Sequence, residues 1–319
     1  MTVPSGITLD PIGVEGRSLL IDAPDAVWET GDSPVEEATP PYWAKSPEWW
    51  WRKRSVLSVN DWERFDAPGP LTLVGANPDA GHGSDWNDNR YEFQHGLWAD
   101  RIGGFTIRDW TARNIWGDGF YFRRSAGWLH RPVIRVAGRQ GIAIVSGGPY
   151  VITDPDIADI GRSAIDLEPL KGNRVDGVTI KGGSCHEFDG SWVAAVSGSP
   201  VNDVTISDMT ADVLKLRCGS DGGERRTNWT IENNSATEAF DAGGGSPGVM
   251  KFENVDGLTV RGNVQPVTWR GPDRCRTAVT VIGCTGVNDI AAENDFPLYD
   301  RAGELIGQAD VVYLDREAP

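Results

Sequence analysis

The chain has 319 residues, with 30 Lys and Arg against 46 Asp and Glu, a net charge of −16 and an isoelectric point near 4.7. So acidic a chain has no electrostatic footprint for nucleic acid and is a poor partner for an anionic membrane surface. No apolar run approaches the ~20 residues that a spanning helix needs. Its 39 Gly and 20 Pro follow no Gly-X-Y period, which excludes collagen. With few long amphipathic stretches, they point to an all-β chain rich in turns.

The N-terminus, Met1-Thr2-Val3-Pro4, has no basic region and no apolar region, so no secretory signal is visible. Residues 1–54 read as an N-terminal arm. Segment 29–48 is rich in Pro, Glu, Ser and Thr and runs into Trp49-Trp50-Trp51-Arg52-Lys53-Arg54. Two roles are open for it: an extended arm that packs its aromatics on a neighbouring surface, or an attachment or oligomerisation segment. From Ser55 onward, short strand-like runs alternate with turn residues, and no stretch holds a long 3.6-residue period. Asp85-Trp86-Asn87-Asp88-Asn89-Arg90 starts like a calcium loop. Arg90 replaces the needed Gly and Gly96 stands where the Glu should be, so no cofactor is expected and a loop calcium stays only an alternative. His82, His130 and His186 fall in predicted loops. Cys185, Cys218, Cys275 and Cys284 fit no zinc spacing and read as buried thiols before disulfides. Gly244-Gly245-Ser246-Pro247-Gly248 matches a nucleophile elbow in letters but lacks the strand-to-helix context.

The main signal is an internal repeat. One strand type reads Gly-Phe-Thr-Ile at 104–107 and recurs with its Thr at 179, 205, 230 and 259, the last three steps being 26, 25 and 29. A second type opens at His95, Asp118, Gln140 and Ser163, in steps of 23, 22 and 23. That period is too short for a βαβ unit or a propeller blade. It fits one coil of a parallel β-solenoid, whose coils stack ~4.8 Å apart. About ten coils are expected, with residues 55–319 as the solenoid domain.

Here the chain resembles the right-handed parallel β-helix, or pectate-lyase-like, superfamily. It is most similar to β-helix proteins of actinobacteria and their bacteriophages, through Gln94-His95-Gly96, Gly117-Asp118-Gly119, Arg139-Gln140-Gly141 and Ile165-Asp166-Leu167-Glu168-Pro169 in order. The resemblance covers roughly 55–315. It implies a phage tail protein, a tailspike or minor tail protein in the virion, that recognises a host cell-surface polysaccharide, with cleavage an open question. The arm would then meet other tail proteins, and the chain would associate as a homotrimer as the resembling tailspikes do. Two alternatives stay open: an extracellular polysaccharide hydrolase, lyase or epimerase, and a non-catalytic structural or adhesive β-helix. Fold alone does not choose among these.

Strand alternation assigns the faces. Phe120, Phe122, Ile142, Ile144, Ile165, Leu167, Leu214 and Leu216 are expected to point inward. One outward column then reads Trp98, Tyr121, Ala143, Asp166, Trp192, Lys215, Lys251. A second reads Asp100, Arg123, Val145, Glu168, Ala194, Arg217. A third, just ahead of the strands, reads His95, Asp118, Gln140, Ser163 and continues through Asp189 and Asp212. Such a face suits sugars, which offer apolar ring faces to aromatics and hydroxyls to polar groups. The expected catalytic residues are Asp166, Glu168, Asp118 and His95. Asp166 and Glu168 stand two apart on one strand, roughly 6.5–7 Å, near the spacing of paired carboxylates in glycoside cleavage. Tyr121, Arg139, Gln140, Trp192, Lys215 and Arg217 are the expected substrate-binding residues.

Overall fold

The computed structural model describes residues 2–3, 7–9, 17–30, 55–78, 94–220, 222–241, 248–271 and 276–315. Within them the chain winds through three parallel sheets in a fixed order, as a right-handed parallel β-helix. One coil runs through Trp110–Ile115 in sheet A, Phe120–Arg123 in sheet B and Ser125–His130 in sheet C, then returns to sheet A at Val133–Ala137. Sheets A and C each hold nine of the described strands and sheet B eleven. Near the C-terminus, the one-turn helix α1 (Ile290–Glu293) packs on Val255–Arg261, the last strand of sheet C. No helix among the described residues is long and apolar enough to cross a membrane.

The helix begins earlier than the composition suggests. Ile7–Leu9 pairs with Leu57–Asn60, Ser18–Leu20 with Arg64–Ala67, and Ala26–Thr30 with Leu71–Val74. The described parts of 1–54 therefore supply strands to all three sheets. The polar surroundings hid short runs such as Ala26-Val27-Trp28-Glu29-Thr30, where Trp28 packs on the core and Val27 faces outward. The Trp49–Trp51 stretch lies outside the described residues, as do the 85–90 loop, His82, Gly244 and Cys275. Cys185, Cys218 and Cys284 are free thiols.

Stacking explains the core. Phe120, Ile142, Ile165, Val193 and Leu216 align coil on coil along sheet B, and all are fully buried. The eight side chains expected to point inward are all at most 1% exposed. Each such aliphatic group contributes about 1.5–3 kcal/mol by leaving water. Sheet C needs small residues at its close approaches: at Gly127 a Cβ would meet the Phe105 carbonyl oxygen at 2.4 Å, and the Phe105 ring stacks on Phe122 at 4.8 Å.

The corners reuse the same logic. Asn234 Nδ2 donates to Asn263 Oδ1 at 2.9 Å, and Asn263 Nδ2 donates to Asn294 Oδ1 at 2.8 Å. Buried amides at successive corners thus satisfy one another and the backbone, as they must away from water. Left-handed backbone recurs in columns too. Asn114, Val136, Asp159 and Glu187 occupy one column of sheet A, with φ of 57°, 60°, 59° and 51°. Asn and Asp tolerate this region, but a β-branched side chain does not. Val136→Asn is expected to stabilise the protein by about 1 kcal/mol, since the left-handed region costs L-residues roughly 1–2 kcal/mol. A rise in midpoint on thermal melting checks it; a fall would show that Val136 contributes more by packing than it loses by strain.

Candidate functional site

The column ahead of sheet B forms as expected in its first four members. Backbone hydrogen bonds from Gly96 to Asp118, Gly119 to Gln140 and Gly141 to Ser163 stack His95, Asp118, Gln140 and Ser163. All four are at most 4% exposed. The column continues through Ser191, not Asp189 or Asp212; those two line a separate acidic groove with Lys215.

The stack is a connected polar network. His95 Nδ1 lies 3.1 Å from the Asp118 backbone nitrogen and 3.2 Å from Asp118 Oδ2. A bare Nδ1 accepts from that amide, whereas a protonated Nδ1 donates to the carboxylate. Asp118 Oδ1 accepts the Gln140 N–H at 3.0 Å, and Arg139 Nη1 stands 3.9 Å from Asp118 Oδ2. Gln140 Nε2 donates to Asp166 Oδ2 at 3.1 Å. Asp166 in turn shares a hydrogen bond with Glu168. Gln140, expected to hold substrate, is therefore the bridge between two carboxyl groups.

Those two carboxyls are pushed in opposite directions. Burial pushes Asp118 up, but Arg139, His95 and the Gln140 N–H together hold it below the ordinary carboxylate value. Burial pushes Asp166 well above that value, and the neighbouring Glu168 and Asp118 charges push it further, against the pull of Arg139. Like charges in one dry site cannot all ionise, so one acid keeps its proton. Asp118 is thus biased toward the carboxylate and Asp166 toward the neutral acid.

Aromatics flank the network. Tyr121 stacks on Trp98 at 4.6 Å and on His95 at 4.7 Å. Trp98 is buried and donates from Nε1 to Asn60 Oδ1 at 3.1 Å. On the next coil the partner of Tyr121 is the small Ala143, with Asp166 one coil beyond. Glu168 is only partly buried, whereas Asp166 is 5% exposed.

Other expected members stand elsewhere. The column of Asp166 continues through Ala194, Arg217 and Lys251, so Trp192 is not in it. Trp192 is fully buried in the hydrophobic core and has no face to offer a sugar. In Trp192-Val193-Ala194-Ala195 every residue is apolar, so alternation did not choose a face. Lys215 follows Ser191 in the column ahead of sheet B and lines the acidic groove, and burial pulls its amine below the ordinary value. Ala194 and Arg217 belong to the first column, not the second. The Arg217 guanidinium folds onto the carbonyls of Leu216, Val249 and Gly248. His130 and His186 lie on strands, not loops.

One cluster escaped the sequence. Buried Asp100 accepts both Arg124 Nε and Nη2, at 2.9 and 2.8 Å, and Arg101 Nη1 at 2.6 Å. Arg101 also reaches Asp61. Its signal was an Arg directly after two successive sheet B strands, at left-handed corners. Among the described residues, no group of three or more His, Cys, Asp and Glu is placed to hold a metal ion.

Comparison with family models, with curated proteins and with solved structures finds no match to the chain.

Linkage gives a stability test. A folded-state value raised above the unfolded ~3.9 contributes stability fully present below that pH, and lost as pH rises toward the raised value. Asp166→Asn removes this loss. The melting temperature of Asp166→Asn minus that of the parent is expected to grow as pH rises from about 4 to 8. A difference that stays flat would mean that Asp166 titrates alike in the folded and unfolded chain.

Proposed function

We propose that the chain is a β-helix of the pectate-lyase-like superfamily that binds a cell-surface polysaccharide and cleaves it at the Asp118–Asp166–Glu168 cluster. The observation that carries this is the split between a protonated Asp166 and an ionised Asp118, joined through Gln140. General acid and base catalysis needs that split at one site. In hydrolysis, Asp166 gives its proton to the glycosidic oxygen as the C–O bond breaks. Glu168, the more exposed carboxyl, hydrogen-bonds Asp166 in the free chain, closer than the separation expected from the strand spacing; it takes the proton of the attacking water once a bound sugar parts the pair to the distance that glycoside cleavage needs. Asp118 and His95 set the charge around the acid, Arg139 balances it, and Tyr121 stands one coil before the small Ala143, which leaves room for a sugar.

Asp166→Asn keeps shape and removes the proton that moves. Turnover of arabinogalactan, capsule or uronan, read as new reducing ends, is expected to fall by roughly 10²-fold or more, the size of a lost positioned acid. The kcat/KM of the parent should fall as pH rises through the raised value of Asp166, the proton donor. A simultaneous gain in ultraviolet absorbance would mark a lyase. Burial of His95, Asp118 and Asp166 favours a second reading, a polar network that only fixes coil on coil. Intact turnover in Asp166→Asn, or none in the parent on any of these glycans, would favour it.

The setting on a phage tail, as a homotrimer, rests on the resemblance and on the Trp-rich stretch at 49–51. Light scattering of the full chain is expected to give three copies; a monomer at micromolar concentration would remove this part.

A further inference from the structure

Sheet C carries a second feature, on a different face from the carboxylates. Trp128 is 53% exposed, and beside it opens a cleft lined by Arg64, Gly103, Gly104, Thr106 and Pro149. The large aromatics on the inner side of this sheet, Phe105, Tyr150 and Trp229, are buried. An indole left in water at such an area of apolar surface is costly unless something covers it in use.

The surroundings define the chemistry. Arg64 is held by both carboxylate oxygens of Asp66, at 2.6 and 2.7 Å, so the rim is polar but charge-balanced. The side chains on the Trp128 column are Leu20, Asp66 and Thr106 below, and Val151, Thr179, Thr205, Thr230 and Thr259 above, in unbroken register. Beyond Val151 the track is partly buried and lined with threonine hydroxyls one coil apart, ~4.8 Å. Its floor beside the indole is bare: a Cβ on Gly104 would meet nothing within 4 Å. An apolar plate, a neutral polar rim and a straight row of hydroxyls match a neutral sugar chain, with one ring on the plate. They do not match an anion, since the one cation among the described residues lining the cleft, Arg64, is held by Asp66.

We propose that Trp128 and the threonine column form a glycan-binding track for a neutral polysaccharide, separate from the Asp166 cluster. The site works without cleavage, so it stands or falls independently of the proposed reaction.

The test uses full-length Asp166→Asn protein, so that any ligand stays intact, in gels cast with arabinogalactan, galactomannan or polygalacturonate. Retardation is expected from at least one neutral polysaccharide. Adding Trp128→Ala should weaken it about tenfold, the scale of a lost aromatic contact, and Trp128→Phe should restore most of it. Gly104→Leu puts a side chain into the same cleft and should weaken binding likewise. The proposal is overturned if Trp128→Ala is retarded as strongly as its parent, if only polygalacturonate retards the protein, or if none of the three does. Loss of cleavage in the native chain with Trp128-dependent retardation intact would defeat the hydrolytic reading and leave the track standing.

Discussion

Everything in this molecule follows from one constraint: each residue of a coil meets the residue at the same position in the next coil. Parallel pairing in register makes columns, and a column must tolerate its own kind at the interstrand distance of ~4.8 Å. Apolar columns do so by burial, as at Phe120, Ile142 and Ile165. Amide columns do so by donating and accepting in turn, as at Asn234, Asn263 and Asn294. Charged corners do so by alternating sign, as Arg131 does over Asp109. Where sign does not alternate, protonation must change.

The carboxylate cluster is that last case. Asp118 and Asp166 stand on neighbouring columns with Gln140 between them, and Glu168 is close to Asp166. Arg139 and His95 lie toward Asp118, which settles which acid keeps its charge. Asp166 is thereby biased toward its neutral form beside a partly buried Glu168.

How much was legible depended on what the repeat repeated. The 22–26-residue spacing gave the solenoid, and the Gly-flanked His95, Asp118 and Gln140 gave the network column, because both signals recur at fixed intervals. The register broke after Asp166, where the coil to Ser191 is longer and the run Trp192–Ala195 is apolar throughout. Alternation carries no information there, and Trp192 went to the core by size. Lys215 was misplaced with it, since its strand was counted from the wrong neighbour. The early coils were hidden in a polar, Pro-rich segment, and the pairing of Asp100 with Arg124 was hidden because it joins different coils at a corner. Protonation states were legible in outline only: proximity implied that one acid would be raised, but choosing Asp166 required the positions of Arg139 and Gln140.

The central claim is that Asp166 is a neutral acid beside an ionised Asp118. Carbon-13 NMR of the labelled side-chain carboxyls, assigned with Asp166→Asn and Asp118→Asn, follows both through a pH titration. The account predicts that Asp118 ionises below the ordinary ~3.9, while Asp166 still carries its proton well above it. Ionisation of Asp166 at the ordinary value, or a protonated Asp118 in the same range, would contradict it.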